Sequence, residues 1–190
     1  MPKQELDSPL NTPHMPPRDI LSVSTKAVQK ILTKLTLIGL AKEWSPLDID
    51  ENSVFYSRAI DSGLYHEIFE RVQEYILSDG KELQLSSQEN ENYFIGGLML
   101  FDKAIKAAPS LLAPNNILLA YCACLDLFWK ANSDFPLSNR DLSEVFGLSL
   151  EKFNAMEIAM LFEVLNGKAA ILANNFDDYK VRLVRRTASL

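Results

Sequence analysis

Two unlike charges, Lys130 and Glu157, stand in helical segments whose other residues read as core. Lys130 closes the almost wholly apolar run "ILLAYCACLDLFWK", residues 117–130, and Glu157 lies near the centre of "LEKFNAMEIAMLFEVL", residues 150–165. An ammonium offers three donors and no acceptor, and a carboxylate offers acceptors only. Set together at the edge of an apolar surface, the two would satisfy the carbonyl and N–H groups of a foreign backbone, which is the chemistry of recognition rather than of bond making. Solvation is the competing reading for each. A lysine at a helix end commonly extends its ammonium to water over an apolar stem, and a glutamate in mid-helix commonly lies on a wet face. Trp129, beside Lys130, suits a core or an interface equally, because its ring is rigid and amphipathic.

Bond-making chemistry finds little support. The chain has no glycine-rich phosphate loop, no HExxH, no GxSxG and no CxxC cluster. Asp177 and Asp178 are adjacent, so on a helix they diverge and read as a solvated face rather than an acid pair. Cys122 and Cys124 are two apart inside an apolar run, with His14 and His66 far away in sequence. They read as packing residues and not as metal ligands, so neither a metal nor a cofactor is expected. Met156 and Met160 read as core.

The elements that position the charges follow from periodicity. In 190 residues, 47% are apolar, 23% are charged and seven are glycine, and apolar positions recur at helical spacing without alternating strand runs, so an all-α fold is expected. Residues 1–20, with five prolines, read as a disordered arm. Residues 21–60 hold a helix from Ser22 to about Leu40, with Val28, Ile31, Leu32, Leu35 and Ile38 on one stripe, outside the main bundle, and a polar connector. The bundle is expected over 61–168. Its first helix, Tyr65–Leu77, aligns Ile68, Val72, Tyr75 and Ile76. Its second, Asn92–Ala107, is apolar nearly all round, with Gly96 and Gly97 permitting close approach and Asp102 as the polar exception. Pro109 and Pro114 bracket a loop, and Ile117–Lys130 forms the central helix. A short fourth helix starts at Ser138 and closes at Gly147. Ser149 caps a fifth, Leu150–Leu165, with Glu151 and Glu163 outward and Phe153, Met156, Met160, Leu161 and Val164 mostly inward. Residues 169–190 form a helical extension with a basic tail, Lys180, Arg182, Arg185 and Arg186. A net charge of −6 makes that cluster a solvated tail rather than a nucleic-acid arm. No apolar run reaches the ~20 residues of a membrane span, and the start lacks a signal-peptide core, which gives a cytoplasmic or nuclear location as the expectation.

The ordered set of these residues resembles the cyclin box. "FERVQEYI" is similar to its first helix, with Arg71 at the family arginine, and "MLFDKAI" to its second, with Asp102 at the aspartate of "YIDRF". "ILLAYCACLDLFWK" resembles the third helix, with Leu119 and Lys130 at the family's leucine and lysine. "LSNRDLSEVFGLSLEKFNAMEIAMLFEVLN" resembles the P/U-type (Pho80-like) pattern, in which an "LNxLE" phrase supplies the glutamate, here Phe153–Glu157. The chain departs from that pattern at Asn115–Asn116, where "HR" is usual, and at Phe128–Trp129–Lys130, where "AxK" is usual. The resemblance implies a five-helix cyclin-box bundle with an extra N-terminal helix and a C-terminal helical extension. It also implies a regulatory, non-enzymatic subunit that binds and activates or positions a cyclin-dependent protein kinase. Lys130, Glu157, Trp129 and Leu161 would contact the kinase, Arg71 and Asp102 would form an internal ion pair, and Leu119 would be core. No nucleic acid, membrane or small-molecule substrate is implied. Glu70–Arg71–Val72–Gln73–Glu74 is too polar to dock short arginine–leucine motifs as cell-cycle cyclins do. The alternative is a cyclin-fold adaptor, or a transcription-factor-like scaffold, that activates no kinase.

Overall fold

Helix α4, Pro114–Asn132, organises the fold because it has no solvent face until its last turn: every residue from Asn116 to Trp129 is buried. Such a helix has to be enclosed by others. The computed structural model describes residues 23–44, 50–58, 67–72, 74–75, 87–134, 136–169 and 173–187, and among these no strand occurs. In chain order the elements are α1 (Val23–Ala41), helical backbone over 67–72 and 74–75 (α2), α3 (Ser87–Ala107), a 3₁₀ turn (Pro109–Leu112), α4, α5 (Asn139–Val145), α6 (Leu150–Ile158) and α7 (Ala173–Thr187). Helices α1, α3 and α6 all pack on α4, and α7 lies on α1 and α3.

Close approach of α3 to α4 depends on two glycines. A Cβ on Gly97 would lie 2.9 Å from the Leu125 Cα, and one on Gly96 would lie 2.2 Å from the Phe128 ring. Backbone cannot yield as a side-chain end can, so Gly97→Ala must push the helices apart. The expected cost is about 1–3 kcal/mol, the usual range for overpacking, read as a lower urea midpoint with unchanged slope. Aromatic rings fill the adjoining seam. Phe69 of α2 stacks on Phe94 at 5.0 Å and on Tyr121 at 5.6 Å, and the Tyr121 hydroxyl donates to the Phe94 carbonyl at 3.1 Å.

Three expectations need correction. Helix α1 belongs to the bundle: Val28 and Leu32 are fully buried, and Thr36 is buried with its hydroxyl donating to the Leu32 carbonyl at 3.0 Å. Of the stripe read from the sequence, Val28, Leu32, Ile31 and Leu35 pack inward and Ile38 is 56% exposed, and burial against α3, α4 and α7 draws the helix inward. The second bundle helix starts at Ser87, five residues before the expected Asn92. The fifth does not run α-helical to Leu165. It ends as an α-helix at Ile158 and continues through a π turn, Ala159–Val164, where the Leu165 N–H reaches the Met160 carbonyl at 2.9 Å. The expected 1–20 arm, and both ends of the expected Tyr65–Leu77 helix, lie outside the described residues.

Caps set the short elements. Ser138 and Asp141 form a reciprocal capping box at the start of α5, and Gly147 at φ 66° ends the turn beyond it. The Ser149 hydroxyl accepts from the Lys152 N–H at 3.2 Å to open α6. Segment 50–58 ties these pieces to α4. Asn115 donates its amide to the Ser57 carbonyl at 2.9 Å, Ser57 returns its N–H to the Asn115 carbonyl at 2.8 Å, and Lys152 donates to the Tyr56 carbonyl at 2.9 Å.

Candidate functional site

The last turn of α4 is where the central helix first meets solvent, and α6 crosses it there. Lys130 Nζ lies 2.6 Å from Glu157 Oε1, joining residues 27 apart in sequence. The two side chains are 26% and 22% exposed, enough for a partner to reach and too little for free solvation. Two further groups complete the cluster. Asp126, one turn before Lys130, accepts from the ammonium through Oδ2 at 3.1 Å, and Asn139, the first residue of α5, accepts from it through Oδ1. The three donors of Lys130 thus have three acceptors. Asn139 is equally well used. Its Nδ2 donates to Glu157 Oε2 at 2.5 Å and to Asn154 Oδ1 at 2.7 Å. One amide therefore matches both signs of the pair, its carbonyl facing the cation and its N–H groups facing the anion.

Asp126 is the electrostatic anomaly. Its side chain is wholly buried, and Oδ1 has no hydrogen-bond partner among the described residues. Burial pushes its carboxyl up to about 7; the Lys130 charge pulls the other way, and Glu157 adds to the rise. Burial likewise pushes the Cys122 and Cys124 thiols and the Tyr121 hydroxyl up, so all three are neutral packing groups. Among the described residues no group of three His, Cys, Asp or Glu side chains is placed to hold a metal ion.

Apolar surface flanks the charges. Ile158 is 56% exposed and Phe162 63% exposed, on the same helical run as Glu157. Phe162, one turn beyond Ile158, shares its exposure, while Ala159 and Met160 stay buried. π turns of this kind recur at functional sites.

Not every expected site residue is in the cluster. Leu119 is core at 4% exposure. Leu161 is half-buried beside the core, and its carbonyl accepts from the Gly167 N–H at 2.7 Å. Trp129 is no contact residue on this face: it is 1% exposed and stacked on Tyr93 at 4.6 Å with the rings 8° apart. The expected Arg71–Asp102 ion pair does not form. Arg71 lies on the solvent side of α2 and bonds Glu67 one turn earlier, while Asp102 accepts from the Tyr179 hydroxyl of α7 at 2.6 Å. A neutral donor from the C-terminal helix takes the place expected of the arginine.

Sequence reasoning passed over Asp126, Asn139, Asn154, Ile158 and Phe162. Asp126 was within reach, since it is the acidic residue four before Lys130 in an otherwise apolar run, at the spacing that puts two side chains on one helix face. Asn139 had a weaker signal, its place just after the Ser138 cap. No family model, curated protein or solved structure matches this chain.

Proposed function

We propose that this chain is a cyclin-like regulatory subunit that docks a cyclin-dependent protein kinase on the face formed by the end of α4, the start of α5 and the α6 run, and thereby activates or positions it. The observation that carries the proposal is the Lys130–Glu157 contact at 2.6 Å between α4 and α6, flanked by exposed Ile158 and Phe162. A quarter-exposed ion pair fixes the register of a docked segment, and apolar side chains beside it supply most of the contact energy. The all-helical bundle around a buried central helix is compatible with the cyclin box that the sequence resembles. Docking would hold the kinase's regulatory helix inward, so that its glutamate pairs the catalytic lysine. The subunit itself carries out no step of phosphoryl transfer.

Co-precipitation with candidate kinases tests this. Phe162 and Ile158 are exposed, so Phe162→Glu combined with Ile158→Ser should leave the melting temperature within about 2 °C of native, as surface substitutions do. Loss of the Phe162 contact alone should weaken kinase binding by about 2 kcal/mol, roughly thirtyfold. Equal recovery of kinase by native and variant chains counts against this face. Recovery without any gain in kinase activity favours the adaptor alternative.

A further inference from the structure

Asp126 is a buried acid that the docking reading does not use. Its cost is plain, since one oxygen has no hydrogen-bond partner among the described residues and the other has Lys130 alone. A leucine or valine would fill the same position on α4 without that penalty. The cluster also holds two carboxylates for one ammonium. The charged groups acting on Asp126 are Lys130 on its own helix and Glu157 on α6; Cys122, one turn earlier, is neutral, and Asn139 on α5 is the uncharged neighbour of both.

We propose that Asp126 is a positioning residue: by holding Lys130 as its own counter-ion, it releases the Glu157 carboxylate to N–H groups or a cation on the docked kinase segment. This rests on the kinase-docking reading of the face. Without Asp126, turning Glu157 outward would strand the Lys130 ammonium at an apolar rim. With Asp126 ionised, Lys130 stays neutralised from within, and Asn139 still donates to Glu157 from the side. With Asp126 protonated, Lys130 has only Glu157 as its counter-ion, the pair closes on itself and the face presents no net charge. Docking therefore releases a proton from the Asp126 carboxyl and strengthens as pH rises through its titration, near 7.

The test is the affinity of the native chain for the kinase recovered by co-precipitation, measured at pH 6 and pH 8 beside Asp126→Asn and Glu157→Gln. Native binding should tighten about tenfold over that interval, the most that one proton titrating near 7 gives there. Asp126→Asn copies the protonated state and should bind weakly at both values, without the slope. Glu157→Gln has no carboxylate to release and should also be flat. A native affinity indifferent to pH, or an Asp126→Asn chain that keeps the native slope, overturns the inference while leaving the docking reading intact. Failure to bind any kinase at either pH overturns both. The chain alone gives an independent readout. The Glu157 carboxyl carbon resonance should show a step near pH 7 that disappears in Asp126→Asn, and a native chain without that step overturns the inference whether or not the variant folds.

Discussion

Lys130→Met should destabilise the chain by about 1–3 kcal/mol at neutral pH, the usual cost of leaving charged hydrogen-bonding groups without their donor. The loss comes from what is left behind. Asn139 and Glu157 would lose their shared donor, while Asp126, wholly buried and already near its titration at pH 7, would take up a proton rather than stand as an unpaired charge. The sign of the pH dependence identifies the group. In the native fold the Asp126 carboxyl sits near 7, against about 3.8 when unfolded, so the fold holds this proton more tightly than the open chain does. Its favourable contribution is fully present below the unfolded value, and it is lost as pH rises through the folded one. Melting curves between pH 4 and pH 8 should therefore show native stability falling relative to Asp126→Asn across about 4 to 7. Lys130→Met should carry that fall to higher pH, because the cation that holds the carboxyl down is gone. Adding Asp126→Asn to Lys130→Met should restore most of the lost stability. If the double variant is no more stable than Lys130→Met alone, Lys130 was stabilising the fold by some other route.

Trp129→Ala should cost about 3–5 kcal/mol, the range for emptying a large aromatic site in a core. The indole is 1% exposed, lies parallel to the Tyr93 ring and occupies the contact between α3 and α4. Neither helix can close the gap, because Gly96 and Gly97 already bring them as near as the Phe128 ring and the Leu125 backbone allow. The indole N–H has no hydrogen-bond partner among the described residues, so no bond is lost to offset or enlarge the packing term. A urea midpoint lowered at constant slope is the expected result. Trp129→Phe should recover part of the loss by keeping a ring against Tyr93. A Trp129→Ala chain of native stability would mean that the indole is not part of the core.

The charged pair was legible in the sequence because helical periodicity left Lys130 and Glu157 as the exceptions in segments that had to pack on one another. Their meeting follows once α4 is fully buried and α6 lies across its end. The Arg71–Asp102 pair was misread for an equally physical reason. Arg71 has Glu67 one turn away on its own helix, a local partner that needs no tertiary contact, while the donor that reaches Asp102 is Tyr179, 77 residues further on. Spacing within a helix reveals the first kind of contact and says nothing of the second. Helix α1 carried a readable stripe, yet Ile38 of that stripe, with Leu37 and Leu40, remains exposed, so amphipathicity alone did not say how deeply it packs. The π turn after Ile158 has no residue signature. Only backbone hydrogen bonding, the Leu165 N–H reaching back five residues to the Met160 carbonyl, shows it.

Kinase activation measures the central claim most directly. The purified chain is added to the cyclin-dependent kinase it recovers, and phosphate transfer to a peptide substrate is followed beside the same mixture made with Phe162→Glu. The native chain should raise kinase activity, and the folded variant should leave it near the level of kinase alone. No increase with the native chain would contradict activation, and an equal increase with both would contradict a kinase-docking face built around Lys130 and Glu157.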